Sequence, residues 1–203
     1  MTEARRDNEF ISTFRTFIKR DGAEKLLDFL INKSDFFTAP ASSKFHSDFE
    51  GGLCSHSLNV YYRLVKLLEQ EFGDKWREFY SPETVAIVGL LHDVCKVNYY
   101  AVEYRNVKNK DTGAWEKVPY YKVQDSLPYG HGEKSVYIVS SYIHLSREEA
   151  MAINWHMGGF DDRVRGGSFA VSQAFTEFPL AVLTHTADFL ATYLDEKKDE
   201  SEE

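Results

Sequence analysis

Cysteine is nearly missing from this chain: Cys54 and Cys95 are the only two among 203 residues. Two thiols make no disulfide framework at this length, so both are read as reduced packing residues. Long apolar runs are missing too, and with them any segment able to span a bilayer. The start, MTEARRDNEF, has charge but no apolar stretch behind it, so no secretory or targeting segment is legible and the cytoplasm is the expected default. A basic excess is also lacking. The formal charge of −8 argues against a protein that coats nucleic acid non-specifically, because such affinity comes from clustered Lys and Arg releasing counterions. Oligomeric state is not readable from the residues.

What is present is a helical pattern, with apolar residues recurring every three or four positions. Phe10, Phe14, Phe17 and Ile18 predict a first helix, and Leu26, Leu27, Phe29, Leu30 and Ile31 a second. A polar connection from Lys33 to Glu50 follows. Gly51 and Gly52 then open a long helix on which Leu53, His56, Val60, Leu64, Leu67 and Leu68 share a face, with Gly73 placed to end it. Ser81 and Pro82 start ETVAIVGLLHDVCK, apolar enough to be central. Helical pattern returns after Gly130; Ser146 and Glu149 make a capping box, and Pro179 opens a last helix carrying His185 and Asp188. Residues 195–203, DEKKDESEE, have no apolar member and are expected to be a disordered acidic tail. The expectation is therefore an all-α chain with one domain over 1–194 and an interruption at 98–123.

That interruption is rich in tyrosines and β-branched residues around Asp111, Thr112 and Gly113, which predicts a β-hairpin or extended excursion. It interleaves Arg105, Lys108, Lys110, Lys117 and Lys122 with Tyr99, Tyr100, Tyr104, Trp115, Tyr120 and Tyr121. Rings that stack on bases and cations that meet phosphates would grip a nucleotide or single strand. The plainer alternative is that the rings pack the hairpin and the lysines face solvent.

Asp93 and Asp188 carry the chemistry. Each sits in sequence that otherwise has to be buried, VGLLHDVC and LTHTADFLAT, and a buried carboxylate without a partner costs several kcal/mol. A divalent cation is one partner that would satisfy both. His92-Asp93 alone is equally a buried histidine bonded to a carboxylate, but His56 and Asp188 fall on the inner faces of two other helices. Two imidazoles and two carboxylates suit Mn, Fe, Co, Ni or Zn, and Mg less comfortably.

In their order, His56, His92-Asp93 and Asp188, each on its own helix, resemble the HD superfamily of metal-dependent phosphohydrolases. HDVCK is similar to that family's common HD-x-x-K form. The stretch APASSKFHSDFEGGLCSHSLNV, Ala39 to Val60, is similar to its bacterial exoribonuclease branch, and GHGEKS around His131 together with His156 is similar to members with a larger site. The likeness runs from Pro40 to Tyr193. It implies a helical HD-type domain and, if His131 and His156 hold a second ion, a bridging role for Asp93. The bland readings of those two are a helix-end imidazolium for His156 and a glycine-loop neighbour for His131.

On that reading hydroxide held by the ions attacks phosphorus and Asp93 orients it. Lys96, three residues on, would meet a phosphate oxygen or else be a solvated helix-end lysine. His185, Lys44 and His46 are candidates for substrate contact, His185 alternatively being a core histidine and the other two merely solvated. The expected activity is cleavage of a phosphoester in a nucleotide or other small phosphorylated metabolite. The alternatives are a 3′-to-5′ exonuclease on single strands, against which stand the acidic charge and the lack of a separate OB-like domain, and a regulatory protein that holds metal or ligand without turnover.

Overall fold

The computed structural model describes residues 3–43, 47–110 and 112–196. It is mostly helical with one two-stranded antiparallel sheet, as the apolar periodicity predicts. The helices are α1 (Glu3–Phe17), α2 (Ala23–Asn32), α3 (Gly52–Phe72), α4 (Trp76–Phe79), α5 (Pro82–Leu91), α6 (His131–Ser140), α7 (Arg147–Asn154), α8 (Asp162–Arg165), α9 (Ala170–Glu177) and α10 (Pro179–Leu190). None of them is long and apolar enough to cross a membrane.

Helix α5 is the centre. Seven of its ten residues, Val85 to Leu91, are buried, so it has no polar face to offer solvent and is wrapped by its neighbours. Ser81 caps it by accepting from the Thr84 amide at 3.0 Å, with Pro82 in the first turn. Helix α3 packs along α5, and α10 packs against both α3 and α7. The α3–α5 approach depends on Gly89: a Cβ there would stand 2.7 Å from the Tyr61 Cα. That close crossing brings His56 of α3 beside the C-terminal end of α5. Gly51 and Gly73 bracket α3 with φ of 77° and 59°, as their positions in the sequence predict.

Two helix ends differ from expectation. The pattern through Lys96 reads as one helix, but α5 stops at Leu91 and the chain tightens into a 3₁₀ turn over Val94–Lys96. The Lys96 amide donates to the Asp93 carbonyl at 3.0 Å. At the other end, α10 continues past Leu190 as a π-helical turn, Ala191–Asp195, closed by the Glu196 amide donating to the Ala191 carbonyl at 3.1 Å. Asp195 and Glu196, expected in the solvated tail, are instead ordered against α3. Composition misjudged them because they are acidic residues with cationic and histidine partners waiting in another helix.

The interruption is the hairpin: β1 (Tyr100–Lys108) pairs in register with β2 (Trp115–Val123), from Tyr100↔Val123 to Lys108↔Trp115. Among the described residues its two strands pack chiefly on each other as a ribbon.

Candidate metal centre

Histidines and carboxylates from five separate segments converge where α5 ends. His56 comes from α3, His92 and Asp93 from the turn after α5, His131 from the first turn of α6, His156 from just beyond α7, and Asp188 from α10. The His56 Nε2 lies 3.2 Å from Asp188 Oδ1, 3.7 Å from Asp93 Oδ2 and 3.3 Å from His92 Nε2. On the other side of Asp93, Oδ1 lies 2.7 Å from His131 Nε2 and 3.6 Å from His156 Nε2. Three overlapping triads have donor atoms mutually within 4.8 Å: His56, His92, Asp188; His92, Asp93, His156; and Asp93, Cys95, His131. All six sequence-predicted ligand positions thus meet in one place, with Asp93 between the two halves.

The far nitrogens of the imidazoles show which atoms face inward. His92 Nδ1 donates to the Gly89 carbonyl at 2.9 Å and His156 Nδ1 to the Ile153 carbonyl at 2.7 Å, because each ring follows a helix end and takes an orphan carbonyl. His56 Nδ1 donates to Glu196 Oε1 at 2.9 Å. In a neutral ring this leaves Nε2 as an inward-pointing lone pair. His156 Nε2 is fully buried and makes no hydrogen bond, its nearest polar neighbour being Asp93 Oδ1 at 3.6 Å, a loose contact that a cation held between them would replace.

Glu196 was missed at the sequence level. Its carboxylate also accepts from Asn59 Nδ2 at 3.0 Å and from Ser47 Oγ at 2.7 Å, while Asp195 pairs with the Arg63 guanidinium. A signal did exist: Asn59 and Arg63 lie one and two turns beyond His56 on α3, polar where the helix should meet α10.

Charge decides what the cluster asks for. Among the described residues Asp93, Asp188 and Glu196 bring three carboxylates, and Lys96 meets them with an ammonium, its Nζ 2.5 Å from Asp93 Oδ2. Burial would raise the Asp93 carboxyl, yet Lys96, His131 and His156 hold it well below its usual range. Burial is likewise outweighed at Asp188 and Glu196, where His56 keeps both ionised, Glu196 at about 2. The same carboxylates overcome burial at His56 and push it up to about 10, whereas burial beside His156 and His56 takes His92 down to about 3. Without a metal, then, a proton on His56 helps neutralise the carboxylates, and a divalent cation would take over that role. Nitrogen and oxygen donors in this mixture suit a first-row divalent ion. Cys95 adds an Sγ 3.6 Å from Asp93 Oδ1, but burial pushes its thiol up, so it stands as a protonated neighbour.

Lys96 is neither solvated nor on a continuing helix: the 3₁₀ turn folds it back onto Asp93, where burial is outweighed and its ammonium is kept charged. His185 donates from Nδ1 to the His156 carbonyl at 2.7 Å and lines the cavity over the cluster. Gly158, with φ of 53°, makes room for that ring. Lys44 and His46 lie outside the described residues. The cavity, about 880 Å³, is also lined by Lys134, Arg163, Arg165, Phe160, Phe189 and Tyr193. Cys54 and Cys95 are both free and buried, as expected.

Neither a protein-family model, nor a curated protein, nor a solved structure matches the chain. The functional reading therefore rests on the chemistry of the cluster and its cavity.

Proposed function

We propose that the chain is a metal-dependent phosphohydrolase of the HD type, cleaving a phosphoester in a nucleotide or related small phosphorylated metabolite. The observation that carries this is the convergence of inward-facing imidazole nitrogens and ionised carboxylates on Asp93, with the buried His156 Nε2 making no hydrogen bond there. One ion would be held by His56, His92, Asp93 and Asp188, and a second by Asp93, His131 and His156. Bound there, divalent ions supply Lewis acidity to a phosphoryl group and acidify a water.

The chain's own residues do the rest. Gly89, Ile153 and Glu196 hold the three rings in fixed tautomers. Lys96 keeps an ammonium beside Asp93, where a phosphoryl oxygen would need it. Arg165, over the Phe160 ring at 6.0 Å and more than half exposed, offers a further cation at the cavity wall. Phe160 and Phe189 lie nearly parallel at 6.2 Å, and Phe189 meets Tyr193 at 4.6 Å. A row of rings beside a phosphate-binding centre favours a substrate that carries a base.

A second reading, exonuclease or phosphodiesterase action on a single strand, is favoured by the aromatic ribbon next to the cavity. The test is a panel of nucleoside mono-, di- and triphosphates, cyclic nucleotides and single-stranded oligonucleotides, assayed with Mn or Mg beside metal analysis of the purified protein. Activity lost in Asp93→Ala supports the proposal. Activity that persists in that variant, or a protein that neither binds Mn nor is stabilised by it, overturns it; bound metal without turnover points to a regulatory role instead.

A further inference from the structure

The ribbon sorts its side chains by face. Register and alternation put Tyr100, Val102, Tyr104, Asn106 and Lys108 on one side with Trp115, Lys117, Pro119, Tyr121 and Val123. Among the strand residues that face has two lysines and no carboxylate. Both acids, Glu103 and Glu116, are on the other side, where Glu103 accepts from Tyr120 and Lys122 at 2.8 Å and Glu116 from Asn109 at 2.8 Å. Large rings on the face with the two lysines are out in solvent: Trp115 is 71% exposed and Tyr104 66%. The rings do not pack a core, so the packing explanation for this composition fails at these two residues.

The face leads to the candidate site. Tyr121 contacts Tyr100 at 6.2 Å between ring centroids, Tyr100 meets Tyr99 edge-on at 4.9 Å, and Tyr99 lines the cavity that contains Asp93. Lys134 stands 4.8 Å over the Tyr99 ring with its charge paired to Asp125 at 2.5 Å, so the exposed cations of the face are Lys108 and Lys117 at its outer end.

We infer that this face of the ribbon docks a single-stranded nucleic acid and leads it toward the cavity. Unpaired bases present faces to Trp115 and Tyr104, and phosphates meet Lys108 and Lys117. A duplex hides those faces in its stack, and the outer end of the face, where Lys108 and Lys117 flank Trp115 and Tyr104 with no strand carboxylate, favours a polyanion over the mixed charge of an ordinary protein partner. The net charge of −8 is spread over the whole chain, whereas the strands' own carboxylates, Glu103 and Glu116, lie on the opposite side and Asp48 and Glu50 approach the face only at Tyr121, its inner end. Docking here stands apart from the phosphohydrolase reading, because it needs no ion.

The test is the anisotropy of a labelled oligothymidylate of about fifteen nucleotides, in EDTA, across a salt series. The protein should bind it, and Tyr104→Ala/Trp115→Ala should weaken binding about tenfold or more. Lys108→Gln/Lys117→Gln should lower the slope of log affinity against log salt by about 1.4, the loss of two phosphate contacts. Absence of binding, or binding indifferent to both pairs of substitutions, overturns the inference. So does self-association abolished by Tyr104→Ala/Trp115→Ala, which would assign the face to a second copy of the chain. Stabilisation by Mn, measured on the same variants, should be unchanged; if Mn has no effect on any of them while the oligonucleotide still binds, the metal centre falls and the docking surface stands.

Discussion

Glu196 Oε1 accepts a hydrogen bond from His56 Nδ1 at 2.9 Å, tying the turn after α10 to the first histidine of the cluster. A carboxylate behind a ligating imidazole fixes which nitrogen is bare and makes it a better donor. Glu196→Gln keeps the shape but removes the charge. Its Mn affinity should fall about 10- to 100-fold by calorimetric titration of the folded protein. Circular dichroism should show the helices unchanged, which separates positioning of His56 from general damage.

Asp93 and Lys96 form a buried pair, their side chains 2% and 11% exposed. In chelated protein, Asp93→Asn leaves the ammonium without its counter-charge and should cost about 3–5 kcal/mol in urea unfolding. Asp93→Asn/Lys96→Met should recover most of that loss, because no uncompensated charge remains. Neither variant should bind Mn as the parent does.

Gly158 is held at φ of 53°, and a Cβ there would stand 2.5 Å from His185 Cε1. Gly158→Ala should therefore displace the ring that donates to the His156 carbonyl. Backbone strain and crowding together predict a loss of about 1–3 kcal/mol, read as a lower thermal midpoint.

Acid should loosen the fold at a point remote from the cluster. Glu149 accepts from Arg20 at 2.8 and 2.9 Å, from Thr84 at 2.8 Å and from the Ser146 amide at 2.8 Å. Burial alone would raise its carboxyl, but these donors hold it below the ordinary 4.5. A carboxyl depressed in the folded state contributes stability that is present above the unfolded value and lost as pH falls below it. Stability should decline as pH falls through and below about 4.5, and Glu149→Gln should flatten that limb in a series of denaturant melts.

Much of the centre was legible because polar residues stand out in greasy helices: His56, His92, Asp93 and Asp188 each break an apolar run, and three helices can meet only through such faces. His131 and His156 came from a resemblance, and the structure brings them to the same carboxylate. Glu196 was missed, since an acidic tail carries no periodicity; the polar Asn59 and Arg63 on α3 ask for a partner but do not say which distant residue supplies it. Lys96 was assigned to the right neighbourhood for the wrong reason: the helix ends at Leu91, and a tighter turn makes the contact. The hairpin's strands were written in their β-branched and aromatic residues, but composition does not say whether a ring packs or faces water.

The widened turn Ala191–Asp195 has a consequence for how much the C-terminal helix can vary. A π turn accommodates one residue more than an α-helical turn of the same reach. That surplus residue sets the angular phase between Asp188 and Glu196, so both carboxylates reach opposite nitrogens of one imidazole. Deleting a single position there would rotate everything downstream and unhook the clasp, even though no side chain of the cluster had been touched.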